Sequence, residues 1–262
     1  KIWNATKFCL MNMEDYPDDA SPVEPGSYSP ADRWIRNRMN NAAQEISGHL
    51  DAYRFNEAAA RIYHFLWHEF CDWYLELIKP VLYRGEDIEK KRAAQETLLF
   101  CLKNAIKLLH PIMPFLTEEI WHAVATDGSS VMVSPYPAYD EELDDPAADR
   151  DMQIVMDIIG IIRNIRGEMN ILPARKLKVA LAVADEGTEA LLNASQDYIA
   201  NMARLEEISI GPKVEEPKGT ATGVAGNVNI YVFLEGVVDI AGEKARLEKE
   251  IAKINKDLST VR

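Results

Sequence analysis

Phe55 to Tyr83 reads FNEAAARIYHFLWHEFCDWYLELIKPVLY. Its apolar residues Ile62, Leu66, Phe70, Trp73, Leu77 and Val81 step by four and three, which predicts one side of a helix. A second row, Tyr63, Trp67, Tyr74 and Ile78, widens the apolar face over much of the circumference. A helix of that kind needs cover on several sides, so it belongs at the centre of a bundle. His64, His68, Glu69, Asp72 and Glu76 stud the remaining strip, and Pro80 is placed to kink or stop the last turn.

Helical signals continue on both sides. Lys1 to Met13 predicts a short amphipathic helix with Ile2, Trp3, Phe8, Cys9 and Leu10 available for packing, Trp3 more as core than as a stacking platform. Tyr16 to Pro30, rich in Pro, Asp, Ser and Gly, predicts a loop. Ser29-Pro30 then caps and opens a helix from Ala31 to Tyr53. Its inner side holds Trp34, Ile35, Met39, Ala42, Ala43, Ile46 and Leu50, and its other side Arg33, Arg36 and Arg38. After a turn at Arg84-Gly85, a third long helix is expected over Asp87–His110. A proline corner follows, then a short helix, FLTEEIWHAV. A further helix is expected over Ala147–Met169, where Ile154, Ile158, Ile161, Ile162 and Ile165 keep helical spacing.

The character changes at Asn170. Residues 176–183 alternate like a strand, Glu189–Arg204 reads as a helix, and 205–210, 220–225 and 228–234 alternate again. Gly226-Asn227 is a hairpin signal. Leu247, Ile251, Ile254, Leu258 and Val261 then form a heptad seam with no partner helix in the sequence. The expected organisation is a helical bundle over 1–169, a small α/β unit over 170–240 and the start of a truncated coiled coil over 241–262.

Composition limits the function classes. The chain has 262 residues, 47% of them apolar and 27% charged, and a net charge of −13. That length buries a real core, and the charge argues against a general polyanion binder. The acids are clustered, however: Asp140 to Asp151 holds seven acids and one arginine, which predicts a solvated loop and helix start. Cys9, Cys71 and Cys101 lie far apart with no CxxC, which suits a reducing cytosol. No apolar run approaches the ~20 residues that span a bilayer. The chain begins at Lys1, with no signal-peptide pattern, and reads as a piece of a longer protein.

Motifs for catalysis are missing: no GxSxG, Walker-type loop or GxGxxG occurs. His64, His68 and Cys71 lie within two helical turns, but no second cluster completes a metal ligand set. Nucleic-acid binding is the stronger candidate. Arg33, Arg36 and Arg38 sit early in a helix, where the dipole favours anions. Arg163, Arg166, Arg175, Lys176 and Lys178 make a second basic segment, opposed only by Glu168. Trp3 and Tyr16 could stack on an unpaired base.

KIWNATKF, ADRWIRNRM, FLWHEFCDWYLELIKP, LLHPIMPFLTEEIWH and IIRNIRGEMNILPARK, in this order, resemble the region that follows the catalytic domain in bacterial-type valyl-tRNA synthetases. The resemblance covers nearly the whole chain. Isoleucyl and leucyl enzymes share the architecture, and the terminal heptads favour the valyl group. The resemblance implies a mainly α fold: an anticodon-binding bundle of the class I synthetase type, a small α/β unit and the first helix of a coiled-coil arm. It implies a cytoplasmic ligase, monomeric as a whole, that attaches valine to tRNA(Val) using ATP and Mg outside this sequence. The HIGH and KMSKS signatures and the editing residues are absent here, so this stretch is expected to be non-catalytic, without cofactor or metal.

Carried onto this chain, the resemblance implies an anticodon groove formed by Asn4, Lys7, Arg33, Arg36 and Arg38. It places Arg163 and Arg166 on the tRNA backbone, and Lys244, Arg246, Lys249 and Lys253 on the outer corner of the tRNA. The family often carries arginine at the position of Lys7; lysine keeps the charge but lacks the planar fork. Two other readings remain at this point: the equivalent region of an isoleucyl enzyme, and a protein-interaction bundle that pairs with its copy through the cut heptads.

Overall fold

The computed structural model describes residues 1–17, 21–84, 87–125, 128–212, 219–236 and 251. Lys244, Arg246, Lys249 and Lys253 lie outside the described residues, as does the heptad seam apart from Ile251. The chain divides into two compact units, Lys1–Gln153 and Ile154–Arg262. The division falls inside a helix, earlier than the boundary expected between 169 and 170.

The first unit is helical. α1 (Ile2–Met11) is followed by α2 (Pro30–Asp51), α3 (Phe55–His64), a π-helical segment (Phe65–Tyr74) and α4 (Leu75–Arg84). α5 (Ile88–Leu109) and α6 (Pro114–Val124) complete it, and α7 (Pro146–Glu168) begins within it. α2 starts where the sequence predicts. The Ser29 hydroxyl accepts from Asp32 N–H, the Asp32 carboxylate accepts from Ser29 N–H, and Pro30 takes the first turn. These contacts satisfy donors that a helix start leaves open.

The central helix runs from Phe55 to Arg84, and it departs from the predicted pattern in its middle. Ile62, Leu66, Phe70, Tyr74, Ile78 and Leu82 are all buried, every fourth residue without a break. An α-helix has 3.6 residues per turn, so a run of fours drifts around it. The wider i→i+5 turns between Phe65 and Tyr74 cancel that drift. Trp73 and Val81, predicted inside, are therefore only half-buried, while Tyr74 is fully enclosed. Its hydroxyl donates to the Asp32 carboxylate at 2.6 Å, tying the helix centre to the start of α2. Pro80 neither stops nor ends the helix, which continues to Arg84.

The same shift turns Glu69 inward instead of onto the polar strip. Arg38 Nη2 donates to Glu69 Oε1 at 2.6 Å, and Arg61 Nη1 and His64 Nδ1 lie 3.5 and 3.1 Å from the same oxygen. Asp149 and Glu45 supply further carboxylates to Arg38 and Arg61. This is an ion network inside the bundle, and its members depend on one another for neutralisation.

The second unit combines the later part of α7 with β1 (Leu177–Ala182), α8 (Glu186–Ala194), α9 (Gln196–Ala203), β2 (Leu205–Gly211), β3 (Thr220–Ala225) and β4 (Val228–Phe233). The sheet order is β2-β1-β4-β3, with β1 and β2 parallel and the other pairs antiparallel. The single helix expected over 189–204 is two, broken at the buried Ser195. The β3–β4 turn falls at Gly226, whose φ of +57° suits glycine. Gly223 of β3 lies so close to α7 that an added Cβ would stand 2.3 Å from Ile161 Cγ2.

All five tryptophans lie in the first unit, so their fluorescence reports its unfolding alone. Glu69→Ala should lower that unit's stability in urea by about 3 kcal/mol, the low end for breaking a buried pair, because Asp149 and Glu45 remain. Arg54→Ala, which removes an exposed pair with Glu57, should cost no more than about 1 kcal/mol. In the second unit, Gly223→Ala should cost about 1–3 kcal/mol through overpacking, read as faster amide exchange in β3 and β4. Val224→Ala at the exposed neighbour should leave exchange unchanged.

Candidate nucleic-acid interface

α1 divides its sides sharply. Ala5, Thr6 and Cys9 are buried, while Trp3, Asn4, Lys7 and Met11 are exposed. Trp3, predicted as core, is 44% exposed. The small inner residues let the helix lie close to its neighbours without using the indole. Lys7 Nζ lies 6.0 Å from the Trp3 ring centroid, and among the described residues no carboxylate is within ion-pair distance of it. Asn4 likewise makes no side-chain hydrogen bond among the described residues.

Rings extend this face in two directions. Phe8 packs edge-on against Tyr83 at 6.4 Å, with Lys79 Nζ 5.9 Å over the Phe8 ring. Lys1 Nζ sits 5.0 Å over Trp67, donates to the Trp67 carbonyl at 3.4 Å and pairs with Asp72. Tyr63 stacks on Trp67 at 4.9 Å. Tyr63 and Tyr83 are 51% and 63% exposed. Tyr63 was read as part of the apolar face, because periodicity cannot tell an exposed ring from a buried one. His68 lies beside Asp72, as His64 does beside Glu69. Burial pushes the Cys71 thiol up to about 11, and burial pushes Cys9 and Cys101 higher still, so none is a ready thiolate.

The three arginines of α2 do not share one groove. Arg33 places Nε and Nη2 on Asp145 Oδ2 at 2.8 and 2.6 Å. Burial pushes the Asp145 carboxyl up, but the Ala148 N–H, Arg33 and the Ala147 N–H more than offset this and hold it below its ordinary value. Arg38 is committed to Glu69 and Asp149. Arg36 lies elsewhere, sandwiched between the Tyr28 and Phe100 rings at 4.6 Å each, with Nη1 3.6 Å from Glu96. Tyr28 also donates to Glu96; burial and that hydrogen bond push its hydroxyl up to about 12. Tyr16, half-buried, makes no ring contact with Trp3 among the described residues. The acidic run at 140–151, expected as solvated, therefore partly neutralises α2.

In the second unit Arg163 donates from Nε and Nη2 to the Met202 carbonyl at 3.2 and 3.1 Å. Arg166, 8% exposed, gives Nη2 to the carbonyls of Leu172, Pro173 and Arg175 at 3.2, 3.4 and 2.7 Å, and Nη1 to that of Ala203 at 3.5 Å. Both side chains fasten the end of α9 to α7. Among the described residues no group of three His, Cys, Asp or Glu side chains has metal-binding geometry, and no helix is long and apolar enough to cross a membrane.

Residues 32–181 match the family described as the anticodon-binding domain of tRNA ligase. The chain is 45% identical over 98% of its length to a valine–tRNA ligase of Geobacter sulfurreducens, of which it covers 29%. It is 40% identical over 98% of its length to that of Syntrophotalea carbinolica, covering 29%, and 41% identical over 97% to that of Carboxydothermus hydrogenoformans, covering 28%. The chain thus spans less than a third of the relatives it matches. With its buried ion network, its exposed aromatic and lysine face and a family match over more than half its length, the chain belongs to the anticodon-binding domain family of tRNA ligases.

Proposed function

We propose that this chain is the anticodon-binding region of a valine–tRNA ligase and that its partner is tRNA(Val). The observation that carries the site is the exposed face of α1, where Trp3, Asn4 and Lys7 project with no carboxylate against the lysine among the described residues. Unpaired anticodon bases have free edges and faces; an amide reads edges, an indole stacks on faces and an ammonium takes phosphate. Tyr83, Tyr63 and Trp67 continue the ring surface. Arg33, Arg36 and Arg38 support the site by fixing α2, and the field they add is reduced by their carboxylates.

The match to valine–tRNA ligases supports valine as the amino acid of the longer enzyme. In that enzyme, ATP-dependent attachment of valine, with its ATP and Mg, belongs to sequence other than this stretch, and the reaction takes place in the cytoplasm of a monomeric ligase. Lys244, Arg246, Lys249 and Lys253 are proposed to face the outer corner of the tRNA.

Fluorescence anisotropy with tRNA(Val) and an anticodon-swapped transcript tests the reading. The chain should prefer the native anticodon. Trp3→Ala should cost about 1–3 kcal/mol of affinity, the worth of one base stacked on an aromatic ring. Lys7→Ala should lower the salt slope by about one. Reversing Arg33 and Arg36 to Glu should weaken binding less than Lys7→Glu does, once both variants are shown to be folded. Equal binding of both transcripts, unchanged by Trp3→Ala, would reject α1 as the anticodon reader.

A further inference from the structure

The turn after α7 gathers positive charge that no carboxylate among the described residues neutralises. Arg166 and Arg204 both donate to the Pro173 carbonyl, Arg204 Nη1 at 2.9 Å, so two guanidiniums converge on one oxygen. Arg166 also holds the Arg175 carbonyl, which fixes the backbone from which Arg175 and Lys176 project. The Arg175 side chain donates to the Gly236 carbonyl at 2.9 Å, and Lys176 makes no side-chain hydrogen bond or ion pair among the described residues. Arg175, Lys176 and Arg204 are exposed.

Among the described residues no carboxylate lies within ion-pair distance of Arg166, Arg175, Lys176 or Arg204, while Lys178 nearby is paired with Glu207. Carbonyl oxygens satisfy the N–H groups but leave the full positive charge in place. In a chain of net charge −13, this arrangement calls for an outside anion. Two exposed guanidiniums present planar forks that match phosphate, and Lys176 adds a mobile point charge beside them.

We propose that Arg175, Lys176 and Arg204 form a second RNA site, on the α/β unit, which grips the phosphodiester backbone without reading the anticodon. Arg166 is its positioning residue, holding the loop from beneath. The proposal rests on the RNA-binding reading above but predicts a different signature. A backbone site contributes equally to every transcript and shows itself in salt dependence.

The test is Arg175→Glu with Lys176→Glu, measured on both transcripts between about 50 and 200 mM salt. A matched control reverses Arg54 and Lys90, both exposed in the first unit. The patch variant should lower the salt slope by about two and the affinity by about tenfold or more near 100 mM salt, equally for both transcripts. The control should do much less. Lys176→Ala alone, which removes no hydrogen bond or ion pair among the described residues, should lower the slope by about one, so a folding defect in the double variant cannot mimic the result.

Unchanged slopes in the patch variants would overturn the proposal and point to an acidic protein segment as the occupant. A loss confined to the native anticodon would also overturn it. Equal wild-type binding to both transcripts would sink the anticodon reading while leaving the patch effect measurable. No binding of either transcript at low salt would reject both.

Discussion

The helical unit depends on the hydrogen bond from Tyr74 to Asp32. Tyr74 reaches that carboxylate because the π-helical turns before it keep every fourth side chain on the inner face. Asp32 is at once the acceptor for Tyr74 and half of the capping box that starts α2. Burial pushes its carboxyl up, and the donors from Ser29 and Tyr74 only partly offset that. A buried carboxylate with those donors is stable in one geometry. The phase of the central helix and the start of α2 are therefore set together, and with them the directions of Arg33, Arg36 and Arg38.

Those directions decide which cations are available to a ligand. The π-helical phase brings Glu69 inward to meet Arg38, and the acidic run after residue 140 supplies Asp145 to Arg33 and Asp149 to Arg38. Four carboxylates are thus committed to the arginines of α2. Among the described residues Lys7 of α1 has no such partner, so a single lysine with an indole beside it is the more accessible cation. Position in a cluster of basic residues is a weaker guide to binding than the carboxylates that fold against it.

Local chemistry made much of this legible in the sequence. Ser29-Pro30 and Gly226 act through their own backbone neighbourhoods, and the structure uses each where the sequence expects it. Trp34, Ile35, Met39, Ala42, Ala43 and Ile46 of α2 likewise fall inside, because burial on a 3.6 period needs no distant information, while Leu50 near the helix end is half-buried. The π-helical turns escape that reasoning: a run of fours reads as an α-helical face until the packing of Tyr74 is known. Arg33 meets Asp145, and Arg38 meets Asp149, across more than a hundred residues, so no local pattern pairs them. The exposure of Trp3 escapes periodicity for a related reason. Its exposure follows from the small residues Ala5, Thr6 and Cys9 being the ones that pack.

The two units handle arginine in opposite ways. In the first, Arg33, Arg36, Arg38 and Arg61 meet carboxylates, which cancel the charge, although Arg36 Nη1 and both Nη atoms of Arg61 make no hydrogen bond among the described residues. In the second, Arg166 and Arg204 meet carbonyls, which accept from the N–H groups and leave the charge in place. The fields of the two sets therefore differ. Burial, and then the like charge of Arg204, pull the Arg166 guanidinium below its ordinary value, as expected where no anion among the described residues answers the cation. Satisfied geometry combined with unanswered charge separates a structural arginine from one that leaves a surface attractive to a polyanion. That distinction is set by which backbone groups the loop after α7 turns inward, and the count of basic residues does not reveal it.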